Sequence, residues 1–176
     1  VIPKKLHTDV ELFSFSGRTA MKIAIGSDER THLTDAVIEE SRRCGHEVIL
    51  IGALAEGEPE TDWPLTSQQV AEVVASGAVD EGIVCCWTGT GASIAANKVA
   101  GIRAALCGDA ETARGARVWN AANVLALSLR ATSEPVAKEI LEAWFATAPG
   151  DDEWNKRQIE RIRELDERYR GALDKD

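Results

Sequence analysis

Five short apolar runs alternate with segments of helical period between residues 22 and 145, and few folds accept that order. The runs are 22–26, 48–51, 82–86, 103–107 and 123–127. Strands that are apolar on both faces belong to parallel sheets covered on each side by helices. The intervening segments supply the cover. One helix starts near Thr31 or Thr34, turns Leu33, Val37 and Ile38 to one face and ends at Cys44-Gly45; others are expected over 67–75, 94–98, 110–119 and 135–145. The pattern predicts a three-layer α/β/α Rossmann-like, doubly wound domain over residues 21–150, built on a five-stranded parallel sheet. Ligands in such sheets sit outside the carboxyl ends of the strands. Three loops are candidates for that place: 27–30, 86–91 and 119–123.

Other segments stand apart from this alternation. Residues 1–20 precede Met21, the only methionine, and read as a native extension or an expression remnant. Residues 55–64 are acidic and turn-rich, which predicts a loop. Residues 151–176 are highly charged but carry Ile159, Ile162, Leu165 and Tyr169 at helical spacing. Such a stripe asks for a partner surface, so this C-terminal helix is expected to pack on the domain or on a neighbouring subunit.

Charge and cysteine usage narrow the function classes. The net charge of −9 repels polyanions, so nucleic acid is not an expected partner, and a phosphorylated substrate needs a local basic pocket. No apolar run approaches the about 18–20 residues of a membrane span, so no membrane partner is expected and the cytoplasm is the default location. The four cysteines include no CxxC pair, which argues against a zinc site and a disulfide framework. Neither a metal nor a cofactor is expected.

The chemistry concentrates on one junction. Thr88-Gly89-Thr90-Gly91-Ala92-Ser93 lies between a strand and a helix. A glycine-rich turn there either serves backbone geometry alone or gathers N–H groups into a nest for a phosphate or an enediolate oxygen. Cys86 stands at the carboxyl end of the preceding strand, where a nest and a helix start favour a thiolate. A thiolate so placed can remove a proton from a carbon next to a carbonyl. Cys44, Cys85 and Cys107 read as small buried apolar residues.

These residues also carry a resemblance. Gly26-Ser27-Asp28, Thr61-Asp62-Trp63-Pro64, Cys86-x-Thr88-Gly89-x-Gly91-x-Ser93-Ile94-Ala95-Ala96-Asn97-Lys98 and Gly101-Ile102-Arg103-Ala104-Ala105 resemble the type B ribose-5-phosphate isomerases, a family that includes the galactose-6-phosphate isomerases. Asn120-x-x-Asn123-Val124-Leu125-Ala126 and Arg130 continue the match, which spans roughly residues 21–144. The resemblance implies cofactor-free aldose–ketose isomerisation of a sugar phosphate or related small carbohydrate through a cis-enediolate. Cys86 falls on the proton-transferring cysteine, Thr88 on a residue that polarises the substrate oxygen, and the Gly89, Thr90 and Gly91 backbone on the holder of developing charge. Asp28 and Asn120 fall on substrate-binding positions and Arg130 on a residue near the phosphate. A homodimer or tetramer is implied too, because the family completes its site with C-terminal basic residues of a partner chain.

The departures cluster around the same site. Glu29 replaces a histidine after Asp28, Trp63 a tyrosine, Trp87 a loop glycine, and Trp119 the histidine that opens the sugar ring. Of the family's two C-terminal arginines, ungapped counting places one on Arg157 and leaves Glu153 at the other. Three indoles and an added carboxylate make the site smaller, more apolar and less welcoming to phosphate. An open-chain or short substrate fits such a site better than ribose 5-phosphate. An epimerase or dehydratase sharing the enolisation step, and a non-catalytic ligand-binding protein, are the alternative readings.

Overall fold

The computed structural model describes residues 19–57 and 61–173; most of the expected N-terminal extension, His7 with it, lies outside the described residues. Five strands, β1 (Lys22–Ser27), β2 (Glu47–Gly52), β3 (Glu81–Cys86), β4 (Ala104–Leu106) and β5 (Val124–Ser128), form one sheet in the order β2-β1-β3-β5-β4. Every pairing is parallel. The helices are α1 (His32–Arg43), α2 (Trp63–Ala75), α3 (Thr90–Ala96), α4 (Ala110–Asn120), α5 (Glu134–Ala146) and α6 (Glu153–Leu173). The order reverses at β1 and β3, which sit side by side although a strand and two helices separate them in the chain.

Local chemistry fixes the helix starts. Thr31 caps α1 and Thr34 returns the bond, the backbone N–H of each donating to the other's hydroxyl at 2.8 and 3.3 Å. Asp109 caps α4 by accepting from the Thr112 N–H at 2.8 Å. Two helices begin earlier than their periodicity suggests. Helix α2 starts at Trp63, because Pro64 suits a first turn, so the acidic loop ends before it. Helix α3 starts at Thr90, directly on the glycine-rich turn.

Strand alternation divides the core into two layers. Ile23, Ile25, Ile83, Cys85, Leu125 and Leu127 face α1, α4 and α5 and surround the buried Trp144. Ala24, Val84, Cys86 and Ala126 face the other way, toward α2 and α3. On this second side the helix comes very close to the sheet. A Cβ on Gly82 would stand 2.7 Å from Val70 Cγ1, and one on Gly26 2.5 Å from Val70 Cγ2, so neither position has room for a side chain.

The amino edge of the sheet is locked by a buried ion pair. Glu81 and Arg117 meet at 2.5 Å, and Glu81 also accepts from Trp144 Nε1 at 2.6 Å. The Arg117 guanidinium lies 5.1 Å from the centroid of the Trp144 ring and donates to the Ala122 and Thr147 carbonyls. Burial pushes the Glu81 carboxyl above its ordinary range despite these partners. Helix α6 follows on this edge. Gly150 N–H donates to the Val118 carbonyl at 2.9 Å, and the Asp166 carboxylate accepts from Gly101 N–H at 3.1 Å. Its other face leaves Trp154, Leu165 and Tyr169 exposed.

Candidate active site

Strand β3 delivers Cys86 to the carboxyl edge of the sheet, only 6% exposed and on the α2/α3 side. Its carbonyl accepts from Gly89 N–H at 3.2 Å and from Leu129 N–H at 3.0 Å. The next carbonyl, of Trp87, accepts from Arg130 N–H at 3.1 Å and from the Ser128 hydroxyl at 3.0 Å. The loops leaving β3 and β5 are thereby joined, and Arg130 is held beside Trp87. Ser128 was not singled out by its sequence context, although a hydroxyl closing an apolar strand was the available signal. It also accepts from Ala131 N–H at 3.2 Å.

The turn itself lies flat on β5. Gly89 has φ of 74°, and a Cβ there would stand 2.9 Å from the Leu127 carbonyl, so the position admits only glycine. Thr88 and Thr90 share a hydrogen bond of 2.7 Å between exposed hydroxyls. Because α3 begins at Thr90, its first-turn N–H groups, Gly91 included, have no acceptor within the helix.

Asp28 joins this group from β1. The register pairs Ser27 with Cys85, which brings Asp28 next to Cys86 across the sheet end. One carboxylate oxygen of Asp28 is buried without a hydrogen-bond partner, and burial raises the group above the usual carboxylate range. A buried acceptor with no partner is a place for a donor from outside the chain. Glu29 is exposed, its N–H held by the Ser27 hydroxyl at 3.3 Å. Arg30 is paired with Asp35 at 2.9 Å, and Arg130 is tied to the turn through its backbone N–H to Trp87. The six-membered ring of Trp63 packs on Gly91 and lines a groove between α2 and α3 together with Pro64, Ile94 and Val99.

The remaining candidates lie elsewhere. Trp119 and Asn120 end α4 ahead of β5, so the connection 119–123 opens at the amino edge of the sheet, opposite Cys86. This corrects the expectation of a third loop at the carboxyl ends: a helix-to-strand connection in a parallel sheet returns to the other edge. The Trp119 ring covers Gly115 on its own helix and is 59% exposed. Arg157 shares that edge, since α6 starts beside Val118 and passes Asn120 on its way to Gly101.

The other thiols are in unreactive surroundings. Burial pushes Cys85 and Cys107 up to about 12 and Cys44 up to about 11. Among the described residues no group of three or more His, Cys, Asp or Glu side chains could hold a metal ion, and no helix is long and apolar enough to cross a membrane.

Comparison with known proteins bears on this geometry. The family profile Ribose/Galactose Isomerase matches residues 23–165. Ribose-5-phosphate isomerase B of Escherichia coli is 38% identical over 148 residues, 84% of this chain and 97% of the relative. D-erythrulose-4-phosphate isomerase of Pectobacterium atrosepticum is 37% identical over 126 residues, 71% of this chain and 82% of the relative. The solved structure of ribose-5-phosphate isomerase B from Clostridium thermocellum superposes with a TM-score of 0.76 at 39% identity, covering 85% of this chain and 99% of that one. A match that runs from β1 into α6, together with the all-parallel sheet that these relatives share, makes the chain a divergent member of the ribose/galactose isomerase family of sugar-phosphate isomerases.

Proposed function

We propose that the chain interconverts an aldose and a ketose phosphate through a cis-enediolate, with Cys86 as the base. The observation that carries this reading is the position of Cys86 at the end of β3, where the glycine-rich turn begins and where the strand register brings Asp28 alongside. A proton leaves the carbon next to the carbonyl for Sγ, and the electron pair moves onto the carbonyl oxygen. The resulting enediolate faces the Thr88 hydroxyl and the backbone N–H groups of the turn, which favour negative charge. The hydroxyl proton then shifts from the neighbouring oxygen to the former carbonyl oxygen, and Sγ returns its proton to the neighbouring carbon, which completes the exchange without any external oxidant.

The substrate is best read as short and open-chain. One relative is a D-erythrulose-4-phosphate isomerase. A four-carbon ketose with its last oxygen phosphorylated has no hydroxyl left to close a ring, so it needs no ring-opening group. That agrees with Trp119 standing where the family has a histidine. Turnover of D-erythrulose 4-phosphate should therefore exceed that of ribose 5-phosphate by about 100-fold or more in kcat/KM, the loss typical of a missing acid–base group. Ribose 5-phosphate as the better substrate would overturn this choice.

The site is read as shared between two copies. Cys86, Thr88 and Arg130 lie at one edge of the sheet, and Trp119, Asn120 and Arg157 at the other, so a single chain cannot bring both sets to one substrate. Two apolar surfaces suit a reciprocal two-fold contact: the exposed Trp154, Leu165 and Tyr169, and a groove of about 600 Å³ lined by Trp63, Pro64, Ile94 and Val99. Light scattering should give at least twice the 19.0 kDa chain mass. Mixing Cys86→Ala with Asn120→Ala, each inactive alone, should restore activity, because hybrid dimers contain one intact site. A monomer, or a mixture that stays inactive after subunit exchange, would remove this part of the reading.

A further inference from the structure

We propose that Asn97 is a positioning residue for the reaction: its amide clamps the tail of α3 to β4 and so fixes the direction in which the first N–H groups of that helix point. The inference rests on the isomerase reading above and adds to it a residue that acts through α3. Helix α3 has only seven residues, and isolated helices shorter than about 12 residues are marginal in water, so its orientation must come from its attachments. At its start, the Cys86 carbonyl accepts from Gly89 N–H and the turn lies on β5. Along its length Ala92 and Ala96 pack in the core layer, but two methyl groups fix no direction. The remaining attachment is polar.

Asn97 follows the last turn of α3 and stands beside Ala104, the first residue of the edge strand β4. Its Nδ2 donates to the Ala104 carbonyl at 2.8 Å, and its Oδ1 accepts from Ala104 N–H at 2.9 Å. The amide thus meets the two backbone groups that a further strand would have bonded. Nδ2 also donates to the Ser93 carbonyl at 2.9 Å, one turn back in α3, and the Ser93 hydroxyl donates to the Ala104 carbonyl at 3.2 Å. An amide nitrogen facing two carbonyls and an amide oxygen facing an N–H allow one orientation only. Three hydrogen bonds therefore join one face of α3 to one residue of β4. A helix between parallel strands runs from the carboxyl edge of the sheet back to the amino edge, so the clamp lies at the end of α3 far from Cys86 and Thr90. With both ends fixed, at Gly89 and at Asn97, the N–H groups of Thr90 and Gly91 keep one direction. Donors lower a barrier most when they are aimed in advance at the oxygen that gains charge.

The test measures kcat and KM for D-erythrulose 4-phosphate and ribose 5-phosphate in the wild type, Asn97→Ala and Asn97→Asp, with backbone hydrogen exchange and thermal midpoints alongside. Asn97→Ala should lower kcat by about 10- to 100-fold with little change in KM, because a misaimed donor is felt in the transition state and not in ground-state binding. Asn97→Asp should lose at least as much, since a carboxylate oxygen would then face the Ser93 and Ala104 carbonyls. Amides of α3 should exchange about tenfold faster in both variants, while those of α1 keep their wild-type rates. A purely structural tie at the sheet edge would lower the thermal midpoint without separating kcat from KM. That result, wild-type kcat in either variant, or faster exchange spread over the whole sheet overturns the role of Asn97 and leaves the isomerase reading in place. A wild type that turns over neither sugar phosphate overturns the isomerase reading, and the role of Asn97 falls with it.

Discussion

Replacing Cys86 by alanine should reduce turnover and substrate–solvent deuterium exchange by about 100- to 10,000-fold, the range for loss of a positioned base. Cys85→Ala, one residue earlier, should leave both in place. The contrast comes from strand geometry, since adjacent side chains point to opposite faces. Cys85 packs in the layer with Ile83, Leu125 and Trp144, whereas Cys86 faces α2 and α3. Each substitution removes one sulfur from a buried position, so each should cost on the order of 1 kcal/mol in stability. Matched stability with divergent activity is the expected signature. Full activity in Cys86→Ala would rule out the thiol, and Glu29 would then be the next base to test.

Breaking the Glu81–Arg117 pair should have the largest effect on folding. Arg117→Met leaves the Glu81 carboxylate buried without its cation, a change that costs about 3–5 kcal/mol in comparable sites. For a chain of this size that corresponds to a fall in thermal midpoint of roughly 10 °C. The loss should depend on pH in a defined direction. Burial already raises Glu81 above its ordinary value of 4.5, and removing Arg117 removes the strongest opposing influence. A group whose folded-state pKa is raised holds its proton in the folded chain after the unfolded chain has released it. Stability of the variant should therefore fall as pH rises from the ordinary carboxylate range toward neutrality. Glu81→Gln combined with Arg117→Met should recover part of the loss, because the amide oxygen still accepts from Trp144 Nε1 while no charge is stranded. Equal stability of Arg117→Met and wild type at neutral pH would show that the pair contributes nothing.

The strand-and-helix order was legible because each buried strand is nearly all apolar and each helix carries its own start signal. The errors have physical causes. Trp63 and Pro64 look like loop residues beside an acidic stretch, yet proline at a first turn is a helix start. Thr90 and Gly91 look like turn residues, yet α3 begins on them because its glycines let the backbone lie against β5. The grouping of Trp119 and Asn120 with Cys86 came from family likeness and from counting the 119–123 loop among those at the carboxyl ends, whereas a helix-to-strand connection in a parallel sheet returns to the amino edge. A linear sequence records which residues a family uses without recording whether one copy or two supply them. The hydroxyl of Ser128, which ties Trp87 to the β5 loop, depends on a contact 41 residues away, and its one local sign is a hydroxyl closing an apolar strand.

The close seating of α2 has an evolutionary consequence. The layer around Trp144 is built from large aliphatic side chains, which can exchange volume with one another when one of them mutates. The α2 side cannot, because Gly26 and Gly82 already sit against Val70 with no space for a methyl group. The thiol and its turn are on that intolerant side. Drift toward a new substrate is therefore confined to side chains at the rim that touch the scaffold from outside, and the indole at position 87 occupies such a place.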